Sequence, residues 1–271
     1  MNAEPNQGVD LDAYFARIGW AGDPRPTAKV LEELHLAHAT HIPFENLDIL
    51  LGRPINLDVE SLQAKLVHGR RGGYCFEQNT LFAAVLEQLG FRVTRLAARV
   101  SYNATQILPR THMLLKVDVQ GLSWVADVGF GGGGLLTPVP MIEGQIARQF
   151  SWTYRLIREA EVWVLQALHD DGWRDYYAFT QERHFDVDFE MANYFVSTHP
   201  KSFFVQLLHA QLPTPEARYI LRNRELTILR EGAVESRAIE DEDALLRVLA
   251  QLFHLEFPAG TRFRYQNVYQ P

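Results

Sequence analysis

Residues 70–79 read RRGGYCFEQN and hold the only cysteine of the chain, Cys75. Apolar residues at helical spacing follow as far as Leu89, so a helix is predicted to begin near Gly73 and to end at Gly90. The N-terminus of a helix presents unpaired N–H groups and a partial positive charge, and both favour a thiolate over a thiol. Cys75 is therefore a candidate nucleophile, and the alternative is a small buried apolar residue.

The apolar pattern changes after this helix from helical to alternating spacing. Helices are also predicted at residues 11–18, 27–41 and 61–68. Strands of a sheet or barrel are predicted at residues 91–100, 113–119, 122–128, 150–158, 162–169 and 176–180. In the last third, we expect an irregular segment at 193–204, a hairpin at 219–230 and a helix at 241–252.

The composition is that of a folded globular protein, with 271 residues of which 47% are hydrophobic and 22% charged. This length suggests two domains or three small ones, with limits near residues 91 and 200. A net charge of −7 argues against a nucleic-acid partner, and no run approaches the ~18 apolar residues of a membrane span. One cysteine allows no internal disulfide, and the N-terminal residues do not resemble a signal peptide, so a cytoplasmic location is expected.

A predicted hairpin brings a histidine and an aspartate to one surface. If its loop has two residues, Val119 pairs with Leu122 and, counting outward, Leu114 pairs with Asp127. His112 then lies on the same face as Asp127, diagonally across at about 7–8 Å, which is within reach of a side-chain hydrogen bond. A shift of one residue in the register would send the two groups to opposite faces.

These three side chains can form a nucleophile, a base and an orienting group. Asp127 would fix the tautomer of His112, and His112 would take the proton of Cys75. Each residue also has an ordinary interpretation, because most histidines are structural or exposed and an aspartate near a strand end is usually a turn or capping residue. Spacing alone leaves both interpretations open.

A glycine-rich run, GFGGGG at residues 129–134, follows the Asp127 strand. It matches the pattern G-x-G-x-x-G, but Pro138 and Pro140 come soon after it and no helix can begin promptly. We therefore do not expect a dinucleotide site. The run can let a ligand approach the backbone closely or bind an anion through its N–H groups, and the alternative is a flexible loop.

Three histidines, His35, His38 and His41, recur at every third residue of a predicted helix. A metal site is conceivable there, but no cysteine or carboxylate completes a known ligand pattern. We expect these three side chains to lie on a solvated helix face, and we predict no metal.

Several segments resemble the signature motifs of the arylamine N-acetyltransferases. They are RGGYCFEQN at 71–79, IPFENL at 42–47, THM at 111–113, DVGFG at 127–131, and STHP with the nearby Ser202-Phe203 at 197–203. The resemblance runs in the same order along nearly the whole chain. It implies an α+β fold with a papain-like Cys-His-Asp core. A helical domain at 1–91 would carry the cysteine, a β-barrel domain at 92–200 the histidine and aspartate, and an α/β lid domain would occupy 201–271.

The resemblance also implies an activity. Cys75 would take the acetyl group of acetyl-CoA as a thioester and pass it by a ping-pong route to an arylamine, arylhydrazine or hydrazide. Acetyl-CoA would be a substrate, with no metal and no tightly bound cofactor. The partners would be CoA and the small acceptor, with a homodimer as a further option and no nucleic acid or membrane.

The family pattern assigns binding residues as well. Phe44, Phe130 and Phe204 would line the acceptor pocket, where flat rings suit a flat aromatic amine. The glycine loop, with Gly129, Gly131 and Gly132, would lie near CoA. The alternatives are an amide synthase of the same family that acts on a larger acyl thioester, a papain-like amidase that uses water, and a non-catalytic binding protein.

Overall fold

The computed structural model describes residues 8–101 and 106–266. Its N-terminal third is mainly helical, because apolar residues at helical spacing pack into one core there. The elements are α1 (Leu11–Ile18), α2 (Ala28–His41), β1 (Phe44–Glu45), α3 (Leu47–Leu50), α4 (Val59–Leu62), a π-helical segment (Gln63–His68) and α5 (Cys75–Gln88). Thr27 caps α2 as its side chain accepts the N–H of Val30. The predicted helix of Cys75 is confirmed, but it begins at Cys75 itself rather than at Gly73.

The middle of the chain forms an eight-stranded antiparallel sheet with the order β5-β4-β3-β2-β9-β8-β7-β6. Its strands are β2 (Arg92–Val100), β3 (Arg110–Val119), β4 (Leu122–Ala126), β5 (Val139–Pro140), β6 (Ile146–Gln149), β7 (Trp152–Glu159), β8 (Val162–His169) and β9 (Gly172–Phe179). Glu143, just after β5, bridges to Leu156 of β7, so the two edges of the sheet approach each other. The sheet is therefore barrel-like and nearly closed, as expected from the alternating pattern.

The C-terminal part contains two helices, then a second sheet and a last helix. Its elements are α6 (Asp186–Thr198), α7 (Phe203–Gln206), β10 (His209–Pro213), β11 (Arg218–Arg222), β12 (Glu225–Arg230), β13 (Ala233–Ala238) and α8 (Glu242–Phe253). The sheet order is β1-β10-β11-β12-β13, so a strand from the helical region pairs with this sheet. The predicted hairpin at 219–230 and the predicted helix at 241–252 are confirmed.

The expectation that residues 193–204 are irregular is wrong. Helix α6 covers the first half of this segment, as far as Thr198, and begins after Phe185, whose N–H is accepted by Asp188 at 2.8 Å. Helix α7 begins at Phe203, within the same segment. Phe189, Asn193 and Val196 are its buried residues and lie on one face. Apolar residues also occupy its exposed face, so the sequence lacks the alternation of an apolar and a polar face by which a helix is recognised. They are Val187, Met191, Tyr194 and Phe195.

Three apolar cores accompany these elements. One fills the helical region, one lies inside the barrel-like sheet, and one lies between the second sheet and α8. The first core also takes in Phe189 and Val196 of α6, and the third takes in Leu47 and Leu50 of α3. The division into domains at 1–91, 92–200 and 201–271 stays a prediction.

Candidate active site

Cys75 is the first residue of α5 and is 4% exposed. Tyr74 before it is extended, and the carboxylate of Glu77 accepts the N–H of Tyr74 at 3.1 Å, which fixes where the helix begins. The glycine pair lies against the chain that precedes β1: a Cβ on Gly72 would sit 2.0 Å from the carbonyl oxygen of Pro43. Only glycine fits this approach, so the cysteine segment and the segment at 42–47 are packed backbone to backbone.

A buried cluster of charges lies beneath the start of α5. Arg71 contacts Glu45 at 2.6 Å and Asp48 at 3.2 Å, and Lys65 contacts Asp48 at 2.9 Å and Glu77 at 2.7 Å. Burial lowers the pKa of Lys65, but the surrounding carboxylates outweigh this and raise it. Burial raises the pKa of Glu77 to about 7, with Lys65 acting against that rise. Through Asp48 and Lys65, the cluster connects Arg71, which precedes Cys75, to Glu77, which caps α5.

The hairpin has the predicted register, with Val119 paired to Leu122. The ladder ends where Leu115 pairs with Ala126, one residue before Asp127. His112 Nε2 and Asp127 Oδ2 are 2.7 Å apart, and both residues are buried. The two side chains that the register placed on one face are therefore in direct contact.

The pKa values of this pair move in opposite directions. Burial lowers the pKa of His112, but the charge and hydrogen bond of Asp127, with a smaller contribution from Cys75, outweigh it and raise the pKa to about 10. Burial raises the pKa of Asp127, but His112 and further hydrogen bonds outweigh it and hold the pKa below its usual value. The pair is therefore ionised at neutral pH.

The thiol of Cys75 lies against the same imidazole. Its side chain is near enough to His112 to help raise the pKa of that imidazole, and its Sγ donates to the carbonyl oxygen of Thr111 at 3.7 Å. Because Nε2 of His112 is bound to Asp127, Nδ1 is the ring nitrogen left to face the sulfur. The structure thus brings Cys75, His112 and Asp127 into one chain of contacts, which we call the Cys-His-Asp group.

Asn79 belongs to the site although the sequence reasoning did not single it out. Its Nδ2 donates to Asp127 Oδ1 at 2.9 Å and to the carbonyl of Met113 at 2.7 Å, and its Oδ1 accepts the N–H of Val128 at 3.2 Å. Asn79 lies four residues after Cys75, so both project from one face of α5. That spacing was the available signal.

The glycine loop is held by protein groups on several sides. The N–H of Gly129 donates to Asp127 Oδ1 at 3.0 Å, and a Cβ on Gly129 would sit 2.7 Å from Cys75 Cα. The N–H of Gly132 donates to Gln211, and its carbonyl accepts from Arg218 of β11. Two of the three glycines predicted to lie near CoA therefore use their N–H groups within the protein.

The three predicted pocket phenylalanines are close together but do not enclose one large space. Phe44 and Phe204 have ring centroids 5.9 Å apart, and Phe130 meets the ring of His112 edge-on at 5.2 Å. Phe44 and Phe130 line a cavity of about 10 Å³ together with Asp127, and Phe204 is not among its lining residues. A space of this size holds about one water molecule, so an aromatic ring would require these side chains to move.

The expectation that the three histidines of α2 face solvent is wrong for two of them. His35 and His38 are 0% exposed, and only His41 is exposed. Burial is tolerated because each buried ring has a partner at both nitrogens, which the sequence pattern does not reveal.

Within residues 8–101 and 106–266, no three His, Cys, Asp or Glu side chains are grouped so as to hold a metal ion. In the same part of the chain, no helix is long and apolar enough to cross a membrane.

Known proteins are similar to this chain in sequence and in structure. A family model described as N-acetyltransferase matches residues 27–261. The arylamine N-acetyltransferase of Mycolicibacterium smegmatis is 41% identical over 254 residues, which are 92% of each chain. The solved structure of the M. tuberculosis arylamine N-acetyltransferase has a TM-score of 0.87 at 41% identity and covers 90% of this chain and 93% of that one.

A further solved structure, that of the Mycobacterium marinum arylamine N-acetyltransferase in complex with CoA, has a TM-score of 0.86 at 40% identity. It covers 90% of this chain and 92% of that one. The family expected from the motifs is confirmed by these matches: the chain is an acetyltransferase and belongs to the arylamine N-acetyltransferase family.

Proposed function

We propose that the chain transfers the acetyl group of acetyl-CoA to arylamines, arylhydrazines or hydrazides through a thioester on Cys75. The observation that carries this proposal is the contact of the Cys75 thiol with a His112 that is itself bonded to Asp127 at 2.7 Å. The relative from M. marinum whose structure contains CoA supports CoA as the donor's leaving group.

In the first half-reaction, His112 already holds the proton as the imidazolium, and the Cys75 thiolate paired with it attacks the acetyl carbonyl carbon. The oxyanion that forms is stabilised by the backbone N–H of Cys75, which lies at the N-terminus of α5 and has no partner within the helix. As the C–S bond to CoA breaks, His112 returns the proton to the CoA sulfur. Asp127 stabilises the imidazolium form throughout, consistent with the raised pKa of His112.

In the second half-reaction, the amine nitrogen attacks the thioester carbonyl and His112 takes the proton that the nitrogen loses. The bond to the Cys75 sulfur breaks, which releases the N-acetyl product and restores the thiolate–imidazolium pair. Because CoA leaves before the amine attacks, the same histidine transfers the proton in both half-reactions.

The acceptor is proposed to lie against Phe44, Phe130 and Phe204. Phe130 stacks on Tyr176 with centroids 5.3 Å apart, so the protein covers one face of its ring. The space between Phe44 and Phe130 is small, and binding is proposed to be accompanied by movement of these rings. CoA is proposed to pass along the loop at Gly131 and Gly132, with Gly129 allowing the close approach of that loop to Cys75.

An amide synthase, an amidase and a non-catalytic protein are less well supported than an arylamine N-acetyltransferase. An amide synthase or an amidase would share the Cys-His-Asp group, but the relatives at 41% identity are named arylamine N-acetyltransferases. A non-catalytic protein would not require a charged imidazole beside its only cysteine. A cytoplasmic location and a homodimer stay predictions.

Steady-state kinetics test the proposed route. We vary acetyl-CoA against several fixed concentrations of 4-methoxyaniline and expect parallel double-reciprocal lines, with little release of CoA when the amine is left out. Intersecting lines would mean direct transfer from a ternary complex. Equal CoA release with and without amine would mean that water is the acceptor, as in an amidase.

A further inference from the structure

His35, on α2, is completely buried and touches the backbone of a proposed catalytic residue. Its Nε2 lies 3.0 Å from the backbone nitrogen of Asp127, and its Nδ1 lies 3.0 Å from the carbonyl oxygen of Leu136. The two contacts join α2 to both sides of the glycine loop, which lies between Asp127 and Leu136 in the sequence. The mechanism proposed above makes no use of this side chain.

The place of Asp127 in the chain explains why such a contact is needed. The ladder between β3 and β4 ends at the pair Leu115–Ala126, so Asp127 is the first residue outside it. The N–H of Asp127 is satisfied by the imidazole of His35 rather than by a neighbouring strand. The side chain of Asp127 is meanwhile bonded to His112 and Asn79. His35 is thus the group that holds the backbone of the aspartate.

We propose that His35 is a positioning residue, which fixes the main chain of Asp127 so that its carboxylate meets Nε2 of His112. This inference rests on the proposed function, because it assigns His35 a role only through the Cys-His-Asp group. His35 does not touch the sulfur or the substrates. It acts through the orientation of Asp127.

The hydrogen bonds fix the tautomer of His35. A backbone N–H can only donate, so Nε2 must be unprotonated to accept from Asp127. A carbonyl oxygen can only accept, so Nδ1 must carry the hydrogen that is donated to Leu136. The neutral ring therefore satisfies both partners, and a doubly protonated ring would lose the bond to Asp127.

The surroundings keep the ring neutral. Burial lowers the pKa of His35 to about 4, and the hydrogen bond to Leu136 and the charge of Asp127 act against this without reversing it. Two titratable side chains interact with it, His38 on its own helix, which is also buried, and Asp127 just after β4. Both bonds of His35 are accordingly present at neutral pH.

The same helix provides a matched control. His38 is also 0% exposed, and both of its ring nitrogens are bonded, to Tyr14 at 2.8 Å and to Gln78 at 3.1 Å. Both histidines meet the ring of Phe82, at 5.9 Å for His35 and 5.3 Å for His38. Only His35 is bonded to a residue of the Cys-His-Asp group. Removing either ring costs stability, and only one removal should disturb Asp127.

The test is the rate at which iodoacetamide alkylates Cys75, measured from acid to alkaline pH, together with the melting temperature. His35→Phe keeps a ring of similar size and removes both hydrogen bonds, and we expect alkylation at neutral pH to slow about tenfold. His35→Gln keeps one acceptor and one donor, and we expect it to recover most of the lost rate. His38→Phe should lower the melting temperature and retain the wild-type pH profile.

A second variant covers the case in which His35→Phe does not fold. His35→Met has a side chain that adapts to buried sites, cannot donate to Leu136 and accepts only weakly, so the same slower alkylation is expected. The positioning role is overturned if the His35 variants keep the wild-type profile, or if His38→Phe changes the profile as much as they do.

The wild type and His112→Ala separate this inference from the proposed function. If Cys75 reacts no faster in the wild type than in His112→Ala, the proposed function is wrong and the role of His35 fails with it. If these two differ and the His35 variants match the wild type, only the inference about His35 is overturned.

Discussion

Asn79 donates to the carboxylate of Asp127 at 2.9 Å, from a position one helical turn after Cys75. The helix that begins at the proposed nucleophile therefore also holds the carboxylate that orients the proposed base. The relationship explains how Cys75 and Asp127, 52 positions apart, keep one geometry: Asn79 also binds the backbone of Met113 in β3 and of Val128 just after β4.

Replacing Asn79 should cost both stability and activity. Asn79→Ala leaves the buried carbonyl of Met113 and the N–H of Val128 without this partner, so we expect the free energy of unfolding to fall by about 2 kcal/mol. Urea denaturation measures the change. Thr80→Ala is the control, because the hydroxyl of Thr80 donates to the sulfur of Met113 at 3.6 Å, which is a weak acceptor. Equal stability of the Asn79 and Thr80 variants would contradict the role given to Asn79.

The raised pKa of His112 predicts how stability depends on pH. In the unfolded chain the imidazole has its ordinary pKa of 6.5, and in the folded protein the value is about 10. The stabilisation is complete below pH 6.5 and is lost as the pH rises through about 10. We therefore expect the free energy of unfolding of the wild type to decline across this interval.

Asp127→Asn tests the cause of that decline. The charge that raises the pKa of His112 is removed, so the decline attributed to His112 should largely disappear while other alkaline ionisations remain. Chemical denaturation at a series of pH values measures both proteins. Identical slopes for the wild type and Asp127→Asn would show that the pair does not stabilise the folded state in this way.

Gly129 should not accept a side chain. A Cβ there would lie 2.7 Å from both Cys75 Cα and Asn79 Nδ2, so Gly129→Ala must push the loop away from α5, and we expect a loss of about 1–3 kcal/mol together with lower activity. Gly133→Ala is the matched control in the same loop, because the atoms nearest to its new methyl belong to the side chain of Tyr176, at 3.0 Å, and not to the backbone. A stable, fully active Gly129→Ala variant would contradict the close packing.

The buried charge cluster predicts a large effect of losing one cation. Lys65→Met leaves Glu77 and Asp48 without their shared partner in a buried site, and we expect a loss of about 3–5 kcal/mol at neutral pH. Lys29→Met is the control, because Lys29 pairs with Glu33 at 3.6 Å on an exposed face and should change stability by less than about 1 kcal/mol. Thermal unfolding of both variants measures the loss of stability in each. Similar losses in the two variants would refute a special role for the cluster.

The sequence was sufficient for the parts of the site that follow from local geometry. A two-residue loop sets the register of the hairpin, and that register brings His112 to Asp127. The glycine pair before an apolar helical stripe likewise marks the start of α5, within two residues. Both are short-range consequences of turn and helix geometry.

Long-range contacts were not accessible in the same way. His35 lies 92 positions before Asp127, and nothing in the helical spacing of α2 distinguishes a buried imidazole with two partners from an exposed one. Helix α6 was missed because apolar residues occupy its exposed face as well as its buried one. In both cases the deciding fact is which other segment packs there, and that depends on the tertiary structure.

The central claim is that Cys75 carries the acetyl group between donor and acceptor. The most direct measurement is intact-protein mass spectrometry after incubation with acetyl-CoA, followed by peptide mapping and by addition of an arylamine, with Cys75→Ser as control. We predict one acetyl group per chain, located on Cys75, absent from the control and lost to the amine as its N-acetyl product. Folded wild-type protein that forms no such adduct while still acetylating the amine, or an adduct that the amine does not discharge, would contradict the account.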